Sequence, residues 1–202
     1  MTEAPVKYSQ QGEEPIILSL LGEKVGRFLD IGAWNPTDKS NTRALFERGW
    51  GGVMIEPSPG PLVNLISEYG NISRIQIVAA AAGVSSEGLA RLHVSHDAVS
   101  TTEELEFKKW KDQAEFNGSL IVPIVSVRDI ILHFGAFDFI SIDTEGTSVD
   151  IFKEFLRLKQ RPACICVEYN DRKREAVAHA DANGYELALE NDTNLVFGRR
   201  AR

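Results

Sequence analysis

The sequence ends in two strand-like segments that lie too close together in the chain to run in the same direction. The segments are YELALE and NLVFGR, and only NDT separates them. A crossover between parallel strands needs a dozen or more residues, so these two strands must pair as an antiparallel hairpin. A helix predicted from about Arg172 to Asn183 precedes them. The hairpin therefore adds one reversed strand to whatever sheet the chain builds.

The rest of the chain alternates buried strands with amphipathic helices. The predicted strands are RFLDI, GVMIE, RIQIVAA, FDFISID and ACICVEY. The helices between them have start signals: Ser40 or Asn41 as a cap, Pro61 in a first turn, and Ser126 before a short helix. Strands that alternate with helices and end in a hairpin predict an open α/β sheet with seven strands, mixed because its C-terminal strand is antiparallel. This is the pattern of the Rossmann-like, class I methyltransferase fold.

The domain organisation is predicted to be simple. A chain of 202 residues that is 43% hydrophobic, without a repeat or a break in composition, fits a single domain over residues 1–202. Residues 1–26 form a helical N-terminal segment, and residues 84–126 interrupt the alternation as an inserted middle segment. Two capping boxes are predicted, Thr101 with Glu104 and Thr147 with Asp150.

Charge and composition limit the class of partner. The formal net charge is −7 and the isoelectric point is near 5.2, which argues against a surface that binds nucleic acid. The N-terminal segment lacks the basic and apolar regions of a secretory signal, and no apolar run is long enough to span a bilayer. We expect a soluble, cytoplasmic protein that binds small molecules and neither nucleic acid nor a membrane. Cys164 and Cys166 are predicted to be buried thiols of a central strand, since a second pair of metal ligands is missing.

Polar residues cluster where the predicted parallel strands end. In open α/β sheets, ligands bind at the carboxyl ends of the strands, close to the point where the strand order reverses. The residues at these ends are Asp30, Gly32, Ala33, Asn35, Glu56, Pro57, Ser58, Ala80, Ala81, Asp143, Glu145, Glu168 and Asn170. The sequence therefore predicts one polar rim, formed by five strand ends.

The first strand end favours a nucleoside over a dinucleotide. Gly32 allows a ligand to approach the backbone, and Glu56 is placed to accept hydrogen bonds from a ribose. The turn continues as Trp-Asn-Pro and lacks the further glycines that hold a pyrophosphate. The ligand that fits is S-adenosylmethionine, whose sulfonium is attracted to carboxylates and whose own carboxylate is expected to meet backbone N–H groups near Asn41 and Thr42.

The sequence also resembles a known family nearly end to end, the FkbM-type S-adenosylmethionine-dependent methyltransferases. The segments that carry the resemblance are YSQQGEE, FLDIGAW, SNTRALFERGWGGVMIEPSP, VAAAAG, VSTTEELEFKKW, FDFISIDTEGTSVDIFKEF and TNLVFGRR. One departure is Glu14, where the family more often has Asp. The resemblance implies methyl transfer from S-adenosylmethionine, usually to a hydroxyl of a small molecule or a saccharide. It says nothing of the oligomeric state.

The resemblance and the strand ends together give a predicted set of binding residues. The cofactor contacts are Gln10, Asp30, Gly32, Ala33, Asn35, Asn41, Thr42, Glu56, Pro57, Ser58, Ala80, Ala81 and Asp143. The middle segment is expected to act as a lid over the acceptor. Its Thr101, Trp110 and Lys111 are the candidates for contact with that acceptor.

Two arrangements are predicted to remove a proton from an acceptor hydroxyl. The first is a general base, either Asp143 or Glu145 acting directly or His133 from the preceding segment. The second is a divalent metal on Asp143, Glu168 and Asn170, which resemble the acid, acid, amide set of catechol-type O-methyltransferases and favour Mg²⁺. Both alternatives stay open at this point.

Other interpretations compete with this one. The same carboxylates are able to cap helices or bind backbone without any catalytic role. A non-catalytic module that binds S-adenosylmethionine has the same cofactor residues, and an NAD-dependent oxidoreductase is opposed by the missing glycines and the reversed last strand. The Asn/Asp-Pro-Pro-aromatic loop expected of an amino-group methyltransferase is replaced by DTEG, which favours oxygen as the acceptor atom.

Overall fold

A computed structural model describes residues 8–85, 88–95 and 98–201. Residues 1–7 of the predicted N-terminal segment lie outside this range. The described helices are α1 (Glu13–Leu21), α2 (Arg43–Glu47), α3 (Pro59–Tyr69), α4 (Glu104–Trp110), α5 (Val127–Phe134), α6 (Ser148–Arg157) and α7 (Lys173–Ala182). The strands are β1 (Arg27–Ile31), β2 (Gly51–Ile55), β3 (Ile75–Val78), β4 (Ala81–Gly83), β5 (Leu89–Ser95), β6 (Phe116–Ser126), β7 (Phe139–Ile142), β8 (Cys164–Glu168), β9 (Tyr185–Glu190) and β10 (Asn194–Arg199).

Seven strands form the main sheet in the order β3-β2-β1-β7-β8-β10-β9. The pairs from β3 to β8 are parallel, and β10 runs antiparallel to both β8 and β9. The predicted mixed sheet with a reversed last strand is confirmed. Its order reverses between β1 and β7, so the crevice expected to bind ligands lies at the carboxyl ends of these two strands.

Helices cover both faces of the main sheet. Side chains on alternate positions of β1 point to opposite faces, so Leu29 packs in one core cluster and Phe28 in the other. The first cluster includes buried residues of α5, α6 and α7, and the second those of α1, α2 and α3. Because both faces of the central strands are buried, each full-size apolar side chain there stabilises the fold by roughly 1.5–3 kcal/mol.

The middle segment builds a second sheet that the sequence did not predict. It has three strands in the order β4-β6-β5, with β4 parallel and β5 antiparallel to β6. The sheet begins at Ala81, ahead of the predicted start of the segment at residue 84. Its longest strand, β6, begins at Phe116 and continues through most of the strand-like run LIVPIVSV. Helix α4 lies in the connection between β5 and β6.

Two of the predicted helix caps are correct, and the predicted capping box of Thr147 with Asp150 is wrong. Ser126 Oγ accepts from the backbone N of Asp129 at 3.1 Å, as expected for the start of α5. Ser40 Oγ accepts from the backbone N of Arg43 at 3.1 Å at the start of α2. Thr147 precedes α6 without a side-chain cap, because its hydroxyl pairs with that of Thr144 at 2.8 Å. The carboxylate of Asp150 is also engaged elsewhere, because Arg172 donates to its two oxygens from Nη1 at 2.6 Å and from Nη2 at 2.8 Å.

The Thr101 and Glu104 capping box is also wrong. Thr101 Oγ1 donates to the backbone O of Glu145 at 2.8 Å and accepts from the backbone N of Glu103 at 3.0 Å. Glu104 instead pairs with His93 Nε2 at 3.0 Å. Thr101 therefore ties the middle segment to the loop that follows β7.

A buried carboxylate ties the N-terminal segment to the final hairpin. Glu13 is fully buried, and its Oε1 accepts from the side-chain amides of Asn191 at 2.8 Å and Asn194 at 2.9 Å. The backbone N of Gln11 donates to the other oxygen at 2.8 Å. Burial raises the pKa of Glu13, but these hydrogen bonds outweigh it and hold the pKa below its ordinary value. The charge is therefore kept inside the protein by donors from the two ends of the fold.

None of the helices in the described part of the chain is long and apolar enough to cross a lipid bilayer.

Candidate active site

Two adjoining cavities open at the carboxyl ends of the central strands. The larger has a volume of about 430 Å³ and lies over the ends of β1, β7 and β8. The smaller, of about 50 Å³, lies beside the end of β2 and the start of β4. Both are lined by Gly32, Trp34 and Ala98, so they are neighbours along the first strand end. Their position matches the crevice that the strand order predicts.

Most of the predicted site residues lie in these cavities. The larger cavity is lined by Gln10, Asp30, Gly32, Ala33, Asn41, Trp110, Asp143, Glu145, Glu168 and Asn170. The smaller is lined by Gly32, Glu56, Pro57, Ser58, Ala80 and Ala81. Asn35, Thr42, Thr101, Lys111 and His133 line neither of them.

Asn35 and Thr42 support the site from behind. Asn35 Oδ1 accepts from the backbone N atoms of Thr37 and Asp38, both at 2.9 Å, so the side chain closes a local turn. Thr42 is fully buried, and its Oγ1 donates to Asp30 at 2.6 Å. Both side chains are therefore used inside the protein, and direct contact of either residue with the cofactor stays a prediction.

Three further candidates are displaced from the cavities. His133, near the end of α5, lines a separate groove with Val78 and Leu132, so it is not placed to act as a base beside the carboxylates. Lys111 is exposed at the C-cap of α4, one residue after the helix ends, and Lys109 lines the larger cavity in its place. Thr101 is buried under the Glu145 backbone.

The sequence missed several residues that line the larger cavity. Some of them have an unusual backbone conformation, which is visible only in the structure. Five non-glycine residues of the larger cavity have positive φ angles: Trp34, Lys39, Glu145, Asn170 and Asp171. Such angles are sterically unfavourable for residues with a Cβ, and they cluster at functional sites. Of these five, Glu145 and Asn170 were predicted. The lining residues that the sequence missed are Trp34, Asp38, Lys39, Ser40, Ala98, Val99, Lys109, Ser141, Tyr169, Asp171, Asp192, Thr193 and Asn194.

Gly32 is required by the protein itself, not only by a ligand. Its φ is +80°, and a Cβ there would overlap the backbone O of Asp143. The sequence predicted that Gly32 allows a ligand to approach the backbone. The structure adds a second reason for the glycine, its contact with Asp143. The two central strand ends, β1 and β7, come together only because this side chain is missing.

Asp30 and Glu56 are buried carboxylates with different partners. Burial raises the pKa of Asp30 to about 7, while the hydrogen bond from Thr42 opposes the rise. Glu56 is also buried, and burial raises its pKa, although the backbone N of Ser58 donates to Oε1 at 2.7 Å and that of Trp34 to Oε2 at 3.0 Å. These two N–H groups fix the orientation of Glu56 in the smaller cavity.

Asp143, Glu145 and Glu168 form a carboxylate cluster in the larger cavity. One oxygen of each lies within 4.8 Å of an oxygen of the others. Burial raises the pKa of Glu145 to about 8, and the charge of Asp143 adds to the rise. Burial likewise raises the pKa of Asp143. The pKa of Glu168 lies well above its ordinary value because of burial and because of the charges of Asp143 and Glu145. Three anions at this spacing repel one another, so the cluster favours binding either protons or a cation.

Asn170 holds Glu168 in place. With its amide oriented to satisfy its neighbours, its Nδ2 donates to both oxygens of Glu168 at 2.7 and 2.8 Å, and its Oδ1 accepts from the backbone N of Gly146 at 2.8 Å. The amide oxygen is then engaged by backbone, whereas oxygens of Asp143, Glu145 and Glu168 lie close together. A metal on Asp143, Glu168 and Asn170 stays a prediction.

Two polar atoms of the larger cavity's lining residues are shielded from solvent without a partner in the described chain. They are Oδ1 of Asn41 and Nε1 of Trp110. Buried polar atoms are nearly always hydrogen-bonded in native proteins, so this acceptor and this donor require a partner from outside the described chain, such as water or a ligand.

A methyltransferase FkbM domain model matches residues 30–191, which is most of the chain and runs from the end of β1 to the turn of the final hairpin. The chain belongs to the FkbM methyltransferase family. No curated protein matches the sequence of this FkbM-family chain.

Three solved structures are similar to the FkbM-family chain, and the first of them supports its fold. Methyltransferase FkbM from Methylobacillus flagellatus KT matches with a TM-score of 0.53 and 18% identity, over 86% of this chain and 43% of that one. A TehB-like SAM-dependent methyltransferase from Corynebacterium glutamicum has a TM-score of 0.47 and 10% identity, over 94% of this chain and 88% of that one. N-methyltransferase NodS from Bradyrhizobium japonicum WM9 has a TM-score of 0.47 and 10% identity, over 94% and 95%. The chain spans less than half of the Methylobacillus protein.

Proposed function

We propose that this FkbM-family chain is an S-adenosylmethionine-dependent methyltransferase that acts on a hydroxyl of a small molecule or a saccharide. The observation that carries the proposal is the acidic cavity at the ends of β1, β7 and β8, which adjoins the cavity that contains Glu56. Seven carboxylates and two lysines line the larger cavity. An excess of negative charge in a partly enclosed site attracts a sulfonium ion.

Glu56 is the residue that we assign to the ribose of the methyl donor. Two backbone N–H groups already hold its carboxylate, one on each oxygen. A carboxylate oxygen has two lone pairs, so each oxygen retains capacity to accept from a ribose hydroxyl. Pro57, Ser58, Ala80 and Ala81 then surround the nucleoside in the smaller cavity. Because Glu56 is fixed before the ligand arrives, little side-chain entropy is lost on binding.

Glu145 is the residue that we assign to proton removal from the acceptor. S-adenosylmethionine, when bound, supplies a methyl group that its sulfonium has already activated, so the protein needs to align the acceptor and take its proton. A base is most effective when its pKa lies near the working pH, and burial places the pKa of Glu145 at about 8. Thr101 fixes the loop by donating to the backbone O of the same residue.

A divalent cation is the second candidate for activating the acceptor. The test of fit is the spacing of the carboxylate cluster, in which oxygens of Asp143, Glu145 and Glu168 lie within 4.8 Å of one another. Hard oxygen donors of this kind suit Mg²⁺, and the three residues would hold it. Such an ion lowers the pKa of an oxygen that it binds.

Binding and turnover experiments test the proposal. Calorimetry with S-adenosylmethionine and with NAD separates a methyl donor from a dinucleotide, and tight binding of NAD alone would contradict our interpretation. Release of S-adenosylhomocysteine is then measured with a panel of glycosides and phenols as acceptors. Donor binding without any release across the panel favours the non-catalytic module. Addition of EDTA separates the two routes, because activity that survives it unchanged excludes the cation.

A Glu56→Gln variant tests the ribose assignment. It should weaken S-adenosylmethionine binding because the new amide NH₂ faces one of the two N–H donors. Glu186→Gln is a suitable control, since Glu186 is exposed on β9 and lines neither cavity. Equal affinity in both variants would show that Glu56 does not hold the donor.

A further inference from the structure

We infer that the acceptor carries an ammonium group in addition to its hydroxyl, and that this group binds beside Trp110 and Asp171 in the larger cavity. The inference rests on the proposed function and deepens it, because it names the charge of the substrate. It concerns one part of the cavity lining, here called the acceptor wall, which consists of Lys109, Trp110, Asp171 and Asp192. None of these four residues lines the smaller cavity, to which the nucleoside is assigned.

Trp110 already carries a positive charge that belongs to the protein. The ammonium group of Lys109 lies 5.2 Å from the centroid of the Trp110 ring, within the range of a cation–π interaction. Trp34, which lines both cavities, has the same arrangement with Lys39, whose Nζ lies 5.3 Å from its ring. Proteins recognise organic cations with aromatic faces of this kind. The larger cavity therefore has aromatic surface that accepts a positive charge.

The pKa of Lys109 shows that the acceptor wall favours a cation. Burial lowers the pKa of this amino group, but its hydrogen bond with Glu106 and the charges of Glu106, Asp171 and Glu145 outweigh burial, so the pKa lies above its ordinary value. Glu106 Oε2 accepts from Nζ at 3.2 Å. An ammonium group that a ligand brings to the same place meets the attraction of the same carboxyl groups.

Two carboxylates of the acceptor wall are left for a ligand. The side chains of Asp171 and Asp192 are exposed, and neither makes a hydrogen bond or an ion pair within the described residues. The one amino group of the wall, that of Lys109, is already held by Glu106. An incoming carboxylate or phosphate would meet like charges here, whereas an ammonium group supplies hydrogen-bond donors and the opposite charge.

The acceptor wall lies beside the residue that we assign to proton removal. A Cβ on Gly146 would lie 2.9 Å from Cγ of Glu106, so α4 packs against the loop that carries Glu145. Glu106 and Trp110 are four residues apart on α4 and therefore face the same side of the helix. An acceptor whose hydroxyl meets Glu145 is thus flanked by Trp110.

Acceptors that differ mainly in charge test the inference on the whole chain. Tyramine, 4-ethylphenol and 4-hydroxyphenylacetate share a phenol and carry an ammonium group, no charge and a carboxylate. Methyl 2-amino-2-deoxyglucoside, methyl glucoside and methyl glucuronide form a second series of the same kind. We expect kcat/KM, measured from release of S-adenosylhomocysteine, to be about tenfold higher for the ammonium member than for the neutral one, and about tenfold lower for the carboxylate. Both differences should shrink at higher salt, because salt screens charges.

A pair of lysine variants separates an acceptor site from a solvated surface. Lys109→Met removes a positive charge that competes with the ammonium group and keeps a long side chain. We expect it to lower the KM for tyramine about threefold to tenfold and to leave the KM for 4-ethylphenol unchanged. Lys108→Met is the matched control and should change neither value, since Lys108 is exposed on the same helix and lines neither cavity.

An Asp171→Asn variant tests the carboxylate partner. Asparagine tolerates the φ of 40° at this position, so the change removes the charge and keeps the shape. We expect the KM for tyramine to rise about tenfold and the KM for 4-ethylphenol to stay the same. Calorimetry with S-adenosylhomocysteine shows whether each variant is folded.

Other results overturn the inference. Equal kcat/KM across each series that is methylated, or a preference for the carboxylate, would leave the proposed function intact and remove the ammonium group from it. Lower activity of Lys109→Met towards every acceptor would also overturn it, because Lys109 itself would then hold the acceptor. Methyl transfer to the nitrogen of tyramine would place the amine at the sulfonium and contradict both proposals. Both would equally fail if neither series released S-adenosylhomocysteine.

Discussion

Gly32 and Asp143 meet at the ends of β1 and β7 with no space for a side chain on the glycine. A Cβ on Gly32 would overlap the backbone O of Asp143, and the glycine has a φ of +80°. The same two residues line the larger cavity. The contact therefore sets the distance between the two strand ends that carry the carboxylates Asp30 and Asp143.

Substitution of Gly32 by alanine should destabilise the fold strongly. We expect Gly32→Ala to lower the free energy of unfolding by about 3 kcal/mol or more, because the clash is with backbone that has no freedom to move. Gly184→Ala is the matched control: its φ is +85°, and nothing lies within 4 Å of a Cβ there. The free energy of unfolding of Gly184→Ala should fall by only about 1–2 kcal/mol, because only the backbone conformation is unfavourable. Urea denaturation measures both, and equal losses would refute the steric explanation.

Asp30 should make stability depend on pH. Its pKa is 3.8 in the unfolded reference and about 7 in the fold, so the folded protein holds a proton that the unfolded chain releases. This contribution to stability is fully present below pH 3.8 and is lost as the pH rises to about 7. We expect the unfolding free energy of the natural protein, relative to Asp30→Asn, to fall over that range and to stay constant above it. Denaturation of both proteins at several pH values gives the difference, and a flat difference would contradict the raised pKa.

Glu13 should be important for stability because its carboxylate is buried between the N-terminal segment and the final hairpin. Replacement by glutamine puts an NH₂ group in place of one oxygen, where it faces either the amide donors of Asn191 and Asn194 or the backbone N of Gln11, and it removes the charge that these donors stabilise. We expect Glu13→Gln to lower the free energy of unfolding by about 2 kcal/mol. Glu23→Gln, at an exposed position after α1, should change it by less than about 0.5 kcal/mol. Similar values for the two variants in thermal or urea unfolding would argue against a buried network.

Glu145 should control the pH profile of methyl transfer. If Glu145 is the base, kcat rises with pH and reaches a plateau above about 8, where its carboxyl group is ionised. Glu145→Gln should lower kcat on the order of 100-fold or more and abolish the rise. Glu106 is a neighbouring charge that raises the pKa of Glu145, so Glu106→Gln should move the profile to lower pH without abolishing it. A profile that keeps its midpoint in Glu145→Gln would assign the titration to another group.

Trp110 should affect the acceptor and leave the donor unaffected. Its indole N–H has no partner among the described residues, and the residue lines the larger cavity from the middle segment. We expect Trp110→Phe, which keeps a ring and loses the N–H, to raise the KM for the acceptor about threefold to tenfold. Trp110→Leu should raise it further because the aromatic surface is lost as well. Calorimetry with S-adenosylhomocysteine should give the same affinity in all three proteins, and a changed affinity would place Trp110 against the donor.

The sequence predicted the main sheet because each of its signals is local. Buried runs such as RFLDI and ACICVEY, and the short NDT connection, indicate strands and their direction without knowledge of any distant partner. The carboxylates at the strand ends were found for the same reason: Asp30, Glu56 and Asp143 follow directly after recognisable strands. Fold class alone then brings these ends to one edge.

What the sequence did not predict depends on partners far away in the chain. Asp150 follows Thr147 at the spacing of a capping box, but Arg172 binds its carboxylate, and the spacing carries no information about that arginine. Thr101 shows the same limit, because its partner is the backbone of Glu145. The small sheet was missed since β4 and β6 are separated by the whole middle segment. Lys111 was predicted to contact the acceptor, whereas Lys109 lines the larger cavity. The sequence does not separate the two because the end of so short a helix is predicted only to within a residue or two.

The attachment of Glu13 to Asn191 and Asn194 has a consequence for how the protein is made. Ribosomal synthesis runs from the N-terminus, and domains fold as their segments emerge. The carboxylate of Glu13 is synthesised before its two amide donors, which follow 178 and 181 residues later. During that time the charge stays in water and α1 has no finished edge of the sheet on which to dock. One wall of the ligand cavity is thus completed last, so a nascent chain is unable to hold its ligands before the final hairpin has formed.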